Sequence, residues 1–218
     1  MRVFRDNGLT IVLLGLFAVS ITGQWVAGWN VEMEDARRHG QVVLSLGQYT
    51  TSPQFLSSVF ENWESEFLQM AAYVVLTAVL VQRGSAESKD PDAPPRDGVL
   101  DIQANEPGVP VILKWGSFWR AFYARSLGLA LGLLFILSFI VHWTQSARVA
   151  AEEALAHGEK PQGFMAYLAD PQLWFESFQN WQSEFLSTAV LVLLSIFLRQ
   201  RESPESKGVV APHSQTGK

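Results

Sequence analysis

Four strongly apolar stretches of this chain contain no Asp, Glu, Lys or Arg, and they limit its possible folds more than any other feature. They cover residues 7–31, 67–82, 126–147 and 185–198. A helix that crosses a bilayer needs about 20 mostly apolar residues, each rising about 1.5 Å. The first and third stretches exceed that length; the second and fourth fall short. Composition points the same way. Charged residues make up 17% of the 218, against roughly 25% in soluble chains. The expectation is an all-α membrane protein. Arg2 and Arg5 fit the basic start of a signal peptide. The equivalent third stretch lies mid-chain, so the first reads as a retained signal anchor.

The formal net charge of −5 supplies no basic footprint for nucleic acid. With no cysteine, disulfides, thiolate metal sites and cysteine nucleophiles are excluded. Gly-rich phosphate loops, His-Glu-x-x-His patterns and Gly-x-Ser-x-Gly elbows are absent from the sequence. The expectation is therefore a non-enzymatic chain with no cofactor and no metal.

The chain repeats itself. A shift of 118 residues lays residues 2–89 on 120–207 without a gap and matches 33 of 88 positions. Phe60-Glu-Asn-Trp-Glu-Ser-Glu-Phe-Leu68 falls on Phe178-Gln-Asn-Trp-Gln-Ser-Glu-Phe-Leu186, and Glu87-Ser-Lys89 falls on Glu205-Ser-Lys207. Two spans per copy is an even number, so both copies enter from the same side. This predicts four transmembrane helices arranged as two tandem parallel helix-hairpin repeats, related by an axis along the membrane normal. Each repeat is expected to carry a short outer interfacial helix. The domains are then 1–89 and 120–207, joined by a cytoplasmic linker and interfacial aromatic segment over 90–119. Residues 208–218 read as a disordered cytoplasmic tail.

Orientation follows from Lys and Arg, which concentrate in cytoplasmic segments. The N-terminal segment, the middle connection and the C-terminal tail hold twelve of them. The other two connections hold only four: Arg37, Arg38, Arg148 and Lys160. Both termini and the linker are therefore expected inside. Trp25, Trp63, Trp143 and Trp181 fit interface anchors.

The Phe-x-Asn-Trp-x-Ser-Glu-Phe-Leu block and the later Arg-x-Ser-x-Glu-Ser-Lys resemble those of a bacterial family of small multi-pass membrane proteins designated only as a domain of unknown function. The resemblance covers nearly the whole chain. It implies a bacterial membrane protein and implies no activity; the inner (plasma) membrane is the expected location.

Within each copy, His39-Gly40 and His157-Gly158 read as helix ends with a C′ glycine. Asp35–His39 and Glu153–His157 are four-residue pairs, fit either for a helix C-terminus with a local ion pair or for a shared metal site. Ser52-Pro53 and Asp170-Pro171 read as N-caps ahead of a first-turn proline. The short second and fourth spans must thin the bilayer or borrow upstream residues. Borrowing would draw Asn62, Glu66 and Gln69, with Asn180, Glu184 and Ser187, into the outer leaflet on one helix face. That set is the candidate polar intramembrane site, and the expectation places Asn62, Glu66, Asn180 and Glu184 toward the bundle interior. The competing reading keeps the two glutamates at headgroup level, where they complement a helix dipole. Gly128 and Gly132 form a Gly-x-x-x-Gly pattern that permits close helix approach.

Three functions compete at this stage, the last in rank being a membrane enzyme. One is a structural or stress-related membrane protein, in contact with lipid and with another copy or a partner membrane protein. Another is a small proton- or cation-coupled transporter or channel using the Asn/Glu face.

Overall fold

The computed structural model describes residues 2–40, 42–94, 97 and 107–217. Every regular element among them is helical. In chain order these are α1 (Arg2–Arg38), α2 (Leu46–Tyr49), α3 (Pro53–Val79), a 3-10 turn (Val111–Trp115), α4 (Ser117–Tyr123), α5 (Ser126–Ala156), α6 (Phe164–Tyr167) and α7 (Pro171–Phe197). Two helices, α1 and α5, are long and apolar enough to cross a membrane. Part of the expected linker, Pro95, Arg96 and residues 98–106, lies outside the described residues, as does Lys218.

The helix ends recur at the offset found in the sequence. α2, α3 and the end of α1 lie 118 residues before α6, α7 and the end of α5. α1 is interrupted at Asn7 (φ −133°, ψ 17°). α4 and α5 are separated at the matching place by Ala124 and Arg125. Local chemistry explains the bounds. Gly40 and Gly158 take positive φ (65° and 72°), a conformation glycine adopts without steric cost, and end α1 and α5. The Asp170 carboxylate accepts from the Gln172 N–H (2.9 Å), and Ser52 Oγ accepts from the Phe55 N–H (3.3 Å).

One expectation changes. The residues foreseen as a separate interfacial helix, 53–62 and 171–180, are the first turns of the continuous helices α3 and α7. Nothing after Pro53 or Pro171 breaks the backbone ladder, so the amphipathic part and the apolar part are one rod. At 27 residues each, α3 and α7 are about 40 Å long. The separate short helices are α2 and α6, four residues each, one element further upstream.

The described chain divides into two compact units, each drawing on both sequence copies. The first comprises residues 1–59 and 141–168. In it α1 is tied to α2 and its flanks. Trp25 Nε1 donates to Thr50 Oγ1 (3.0 Å) and Trp29 Nε1 to the Leu44 carbonyl (2.8 Å). Trp143 Nε1 donates to the Phe164 carbonyl (3.0 Å) in the equivalent place. Tyr49 and Tyr167 are both buried. Ser57 and Ser146 share a hydroxyl hydrogen bond (2.6 Å), and Gln54 Nε2 donates to Glu152 (3.0 Å).

The second unit comprises residues 60–140 and 169–218. Its centre is the pairing of α3 with α7. Of the Gly-x-x-x-Gly pattern only Gly128 makes a close approach: a Cβ there would lie 3.3 Å from Val75, whereas Gly132 faces open space. The chain after Lys207 is not the expected disordered tail. Residues 208–217 follow turns, with Gly217 N donating to the Ser85 carbonyl (2.9 Å) and Gly84 N donating to Thr216 Oγ1 (2.9 Å). The reason is the buried Lys207, whose ammonium donates to the carbonyls of Gly84, Pro212, His213 and Gln215 at 2.6–3.3 Å.

Candidate functional site

Along the α3–α7 contact, polar side chains bond to one another. Asn180 Nδ2 donates to the Glu61 carboxylate. Trp181 Nε1 donates to Glu64 Oε1 at 2.9 Å. Gln69 Nε2 donates to Thr188 Oγ1. Past the end of α3, the Ser85 hydroxyl meets that of Ser195 on α7 at 2.9 Å, and the Ala86 N–H donates to Ser195 Oγ (3.2 Å). Glu61, Ser65 and Gln69 are spaced by four and so share a helix face, with Glu64 beside them. Ser65 is 2% exposed, its hydroxyl donating back to the Asn62 carbonyl (2.8 Å). Glu64 is fully buried. A buried carboxylate needs donors to offset its lost hydration, and the indole N–H supplies one.

Aromatic rings surround that indole. Trp181 lies 5.4 Å from Phe178, 6.2 Å from Phe135 and 6.4 Å from Trp174, all edge-on. Edge-to-face contacts of this kind are favourable and hold the ring orientation. Trp181 was expected at a lipid interface; its N–H is bonded to a part-buried partner within the protein, whereas those of Trp25 and Trp143 make exposed bonds. Trp63 packs on Phe60 (5.1 Å).

The six candidate residues are not gathered at one interior site. Gln69 and Asn180 take part in the α3–α7 ladder. Glu184 is half-buried and within range of the Glu66 charge. Asn62 and Glu66 are exposed on α3, contrary to the interior placement expected for them. Ser187 is also exposed, its hydroxyl turned back onto the Glu184 carbonyl (2.9 Å). The missed residues are Glu61, Glu64 and Thr188. Because Glu61 and Glu64 become Gln179 and Gln182 in the second copy, the sequence comparison assigns them to solvent. Both glutamines are exposed, yet the glutamates they replace face α7.

His39 and His157 behave alike. Each Nδ1 lies near a carbonyl four residues earlier, that of Asp35 (3.1 Å) or of Glu153 (2.8 Å), and both side chains are exposed. The arrangement is that of a helix C-terminal residue closing its last turn.

The profile of a family described as "Domain of unknown function (DUF6766)" matches residues 1–218, the whole chain. The chain belongs to this family. No curated protein and no solved structure is detectably similar to it. Family membership therefore agrees with the resemblance carried by the Asn-Trp and Glu-Ser-Lys blocks, and it assigns no activity.

Proposed function

We propose that this family member is a four-span protein of the bacterial inner membrane, built as two tandem parallel hairpin repeats with both termini and the linker in the cytoplasm. In this reading the first and third spans are the charge-free parts of α1 and α5, residues 7–31 and 126–147. The second and fourth are the apolar parts of α3 and α7. The recurrence of helix ends at one fixed offset supports the repeat, and the Lys/Arg asymmetry supports the orientation. Helices of about 40 Å exceed the hydrocarbon thickness of about 30 Å. The shortness of the apolar runs is thus no obstacle, and residues near Asn62 and Asn180 sit at the outer boundary.

The role is structural and non-enzymatic. The observation that carries it is the α3–α7 ladder, in which Glu61, Glu64 and Gln69 are bonded to Asn180, Trp181 and Thr188. Groups committed to one another in this way hold two helices in register. A proton or cation path would instead need carboxylates that exchange partners. The transport reading keeps one supporting observation, the charge coupling of Glu66 and Glu184.

Two experiments decide. Reporters fused after Gly47 and near residue 98 are expected to read external and cytoplasmic; the reverse pattern overturns the topology. Purified protein in liposomes is expected to carry no proton or cation flux above empty vesicles. A flux that disappears in Glu66→Gln/Glu184→Gln would replace the structural role by transport.

A further inference from the structure

The 3-10 turn and α4 form a small module in the second unit. Gly116 joins them at a φ of 116°, a conformation that favours glycine. Arg120 Nε donates back to the Leu113 carbonyl (2.8 Å) and ties the two pieces together. Trp119 stands at the centre of an edge-on ring cluster, 5.5 Å from Trp115, 5.5 Å from Phe118 and 6.0 Å from Phe122. Contacts of this kind set the ring orientations in advance. At about 100° per residue, Phe118, Trp119, Phe122 and Tyr123 fall within one arc of about 140° on α4. Ser117, Arg120, Ala121 and Ala124 take the remainder.

No residue of the 3-10 turn or of α4 is buried. Trp115 is 60% exposed and Phe118 71%. A contiguous aromatic face left open in this way marks a surface that something else covers. The polar groups around it specify the cover. Trp25, Trp29, Trp143 and Trp181 donate their indole N–H within the protein. Among the described residues, the N–H groups of Trp115 and Trp119 have no acceptor. Among the same residues the Lys114 ammonium has no hydrogen-bond or ion-pair partner, and Arg125 donates only to the Ala121 carbonyl (3.0 Å). From Pro107 to Ala151 the sequence holds no Asp or Glu. The cover is therefore apolar in its depth, rich in acceptors at its edge and negative overall. A leaflet of anionic phospholipid has all three properties.

We propose that the 3-10 turn and α4 form an in-plane anchor selective for anionic phospholipid. The aromatic arc enters the inner leaflet, the indole N–H groups meet its ester and phosphate oxygens, and Lys114 and Arg125 meet its excess negative charge. A zwitterionic head offers the same oxygens but carries its own cation, so it lacks the last attraction. The proposal rests on the topology above, which puts the start of α5 on the cytoplasmic side.

The test is native mass spectrometry of the full chain released from bilayers of matched acyl composition, with phosphatidylglycerol and phosphatidylcholine in equal amounts. A surface cation contributes about fivefold toward an anionic leaflet. Lys114→Gln/Arg125→Gln is therefore expected to lower the preference for phosphatidylglycerol at least about tenfold, at an unchanged melting temperature. Lys114→Arg/Arg125→Lys keeps both charges and should keep the preference. Arg83→Gln/Arg201→Gln makes the same change in net charge on the same side of the membrane. Its two arginines are already paired, with Asp92 (2.7 Å) and Glu202 (3.6 Å), so it should leave the preference in place. Position is read separately. The chain has no cysteine, so a nitroxide on Phe118→Cys reports one depth, expected below the headgroups and shielded from a water-soluble relaxant. An undiminished preference in Lys114→Gln/Arg125→Gln overturns the proposal, as does an equal loss in Arg83→Gln/Arg201→Gln. A nitroxide open to water also overturns it and leaves the aromatic face to a protein partner. With a cytoplasmic reporter near residue 98, any of these results removes the anchor alone. An external reporter there removes the topology and the anchor with it.

Discussion

Trp181 of α7 donates its indole N–H to Glu64 of α3 at 2.9 Å, and Glu64 has no exposed surface. Removing one donor from a buried charged acceptor costs about 1–3 kcal/mol or more. Trp181→Phe keeps the ring contacts with Phe178 and Phe135 but removes that donor. It is expected to lower stability by that amount. Glu64→Gln keeps an acceptor and removes the charge, so it should cost less. In the Glu64→Gln background, Trp181→Phe should cost less than it does alone. Thermal unfolding of the four variants in one detergent measures the coupling; strict additivity would mean that the contact contributes nothing.

The same pair shows why the sequence was legible for helices and opaque for the site. Helix ends depend on local chemistry, and Gly40, Gly158 and the Asp170-Pro171 cap each act within one turn. The α3–α7 contact is heterotypic: Glu61 and Glu64 on one copy meet Asn180 and Trp181 on the other. In such a contact a position need not keep its residue type between copies, since each copy's partner differs. Reading the site from span length and a shared helix face selected Asn62 and Glu66, which are exposed, and passed over Glu64, which is buried. The fold of the tail was hidden for another reason. The groups that hold Lys207 are backbone carbonyls, and these have no residue signature.

Glu32 makes the first unit sensitive to pH. It lies just past the charge-free stretch, at the end of α1 beyond the proposed span. Partial burial, then the charges of Asp35, Glu152 and Glu153, raise its pKa above the usual 4.5. Gln54, bonded to Glu152, and Tyr49 complete the surroundings. Between 4.5 and the raised value the folded protein binds more protons than the unfolded chain, so this group's contribution falls as pH rises through that window. The cost is absent below the window and complete above it. Glu32→Gln is therefore expected to raise the melting temperature at neutral pH and leave it unchanged below about pH 4. A melting-temperature difference that does not vary with pH would contradict the assignment.

Gly28 and Tyr49 set the approach of α1 to α2. A Cβ on Gly28 would run into the Tyr49 hydroxyl. Tyr49 is buried, with its ring 5.3 Å from Phe55. Overpacking costs about 1–3 kcal/mol, against about 1 kcal/mol gained by replacing glycine with alanine in a helix. Gly28→Ala should therefore destabilise by up to about 2 kcal/mol. Gly23→Ala, which meets open space, should be neutral or stabilising. Adding Tyr49→Phe removes the clashing oxygen and should recover most of the loss. Equal melting temperatures for Gly23→Ala and Gly28→Ala would refute the close approach.

Lys207 and its repeat partner Lys89 end the same motif but bind differently, and the difference predicts what the tail does. The motif folds alike in both copies: Gln82 N and Gln200 N donate to Ser88 Oγ and Ser206 Oγ, and Glu87 N and Glu205 N donate to Ser85 Oγ and Ser203 Oγ. Lys89 then donates to the Ala78 carbonyl. At the matching Ile196 carbonyl the contact is instead His213 Nδ1 of the tail, at 3.0 Å. Lys207 is thereby free to reach Gly84 in the first copy and three carbonyls of the tail itself. One ammonium thus joins the end of the second repeat, the tail and the loop that ends the first. Lys207→Met keeps the length and apolar stem but leaves four carbonyls without their donor. It should release residues 208–217 together, because among the described residues no other side chain bonds to Pro212, His213 and Gln215 at once. Limited proteolysis from the cytoplasmic side is expected to clip the variant before Gly217 at a rate at least about tenfold above the unsubstituted protein, the loss of roughly 1.4 kcal/mol or more of local closing free energy. Lys89→Met, which breaks one local bond, should leave the tail protected. Tail cleavage equally fast in both variants would show that Lys207 does not hold it.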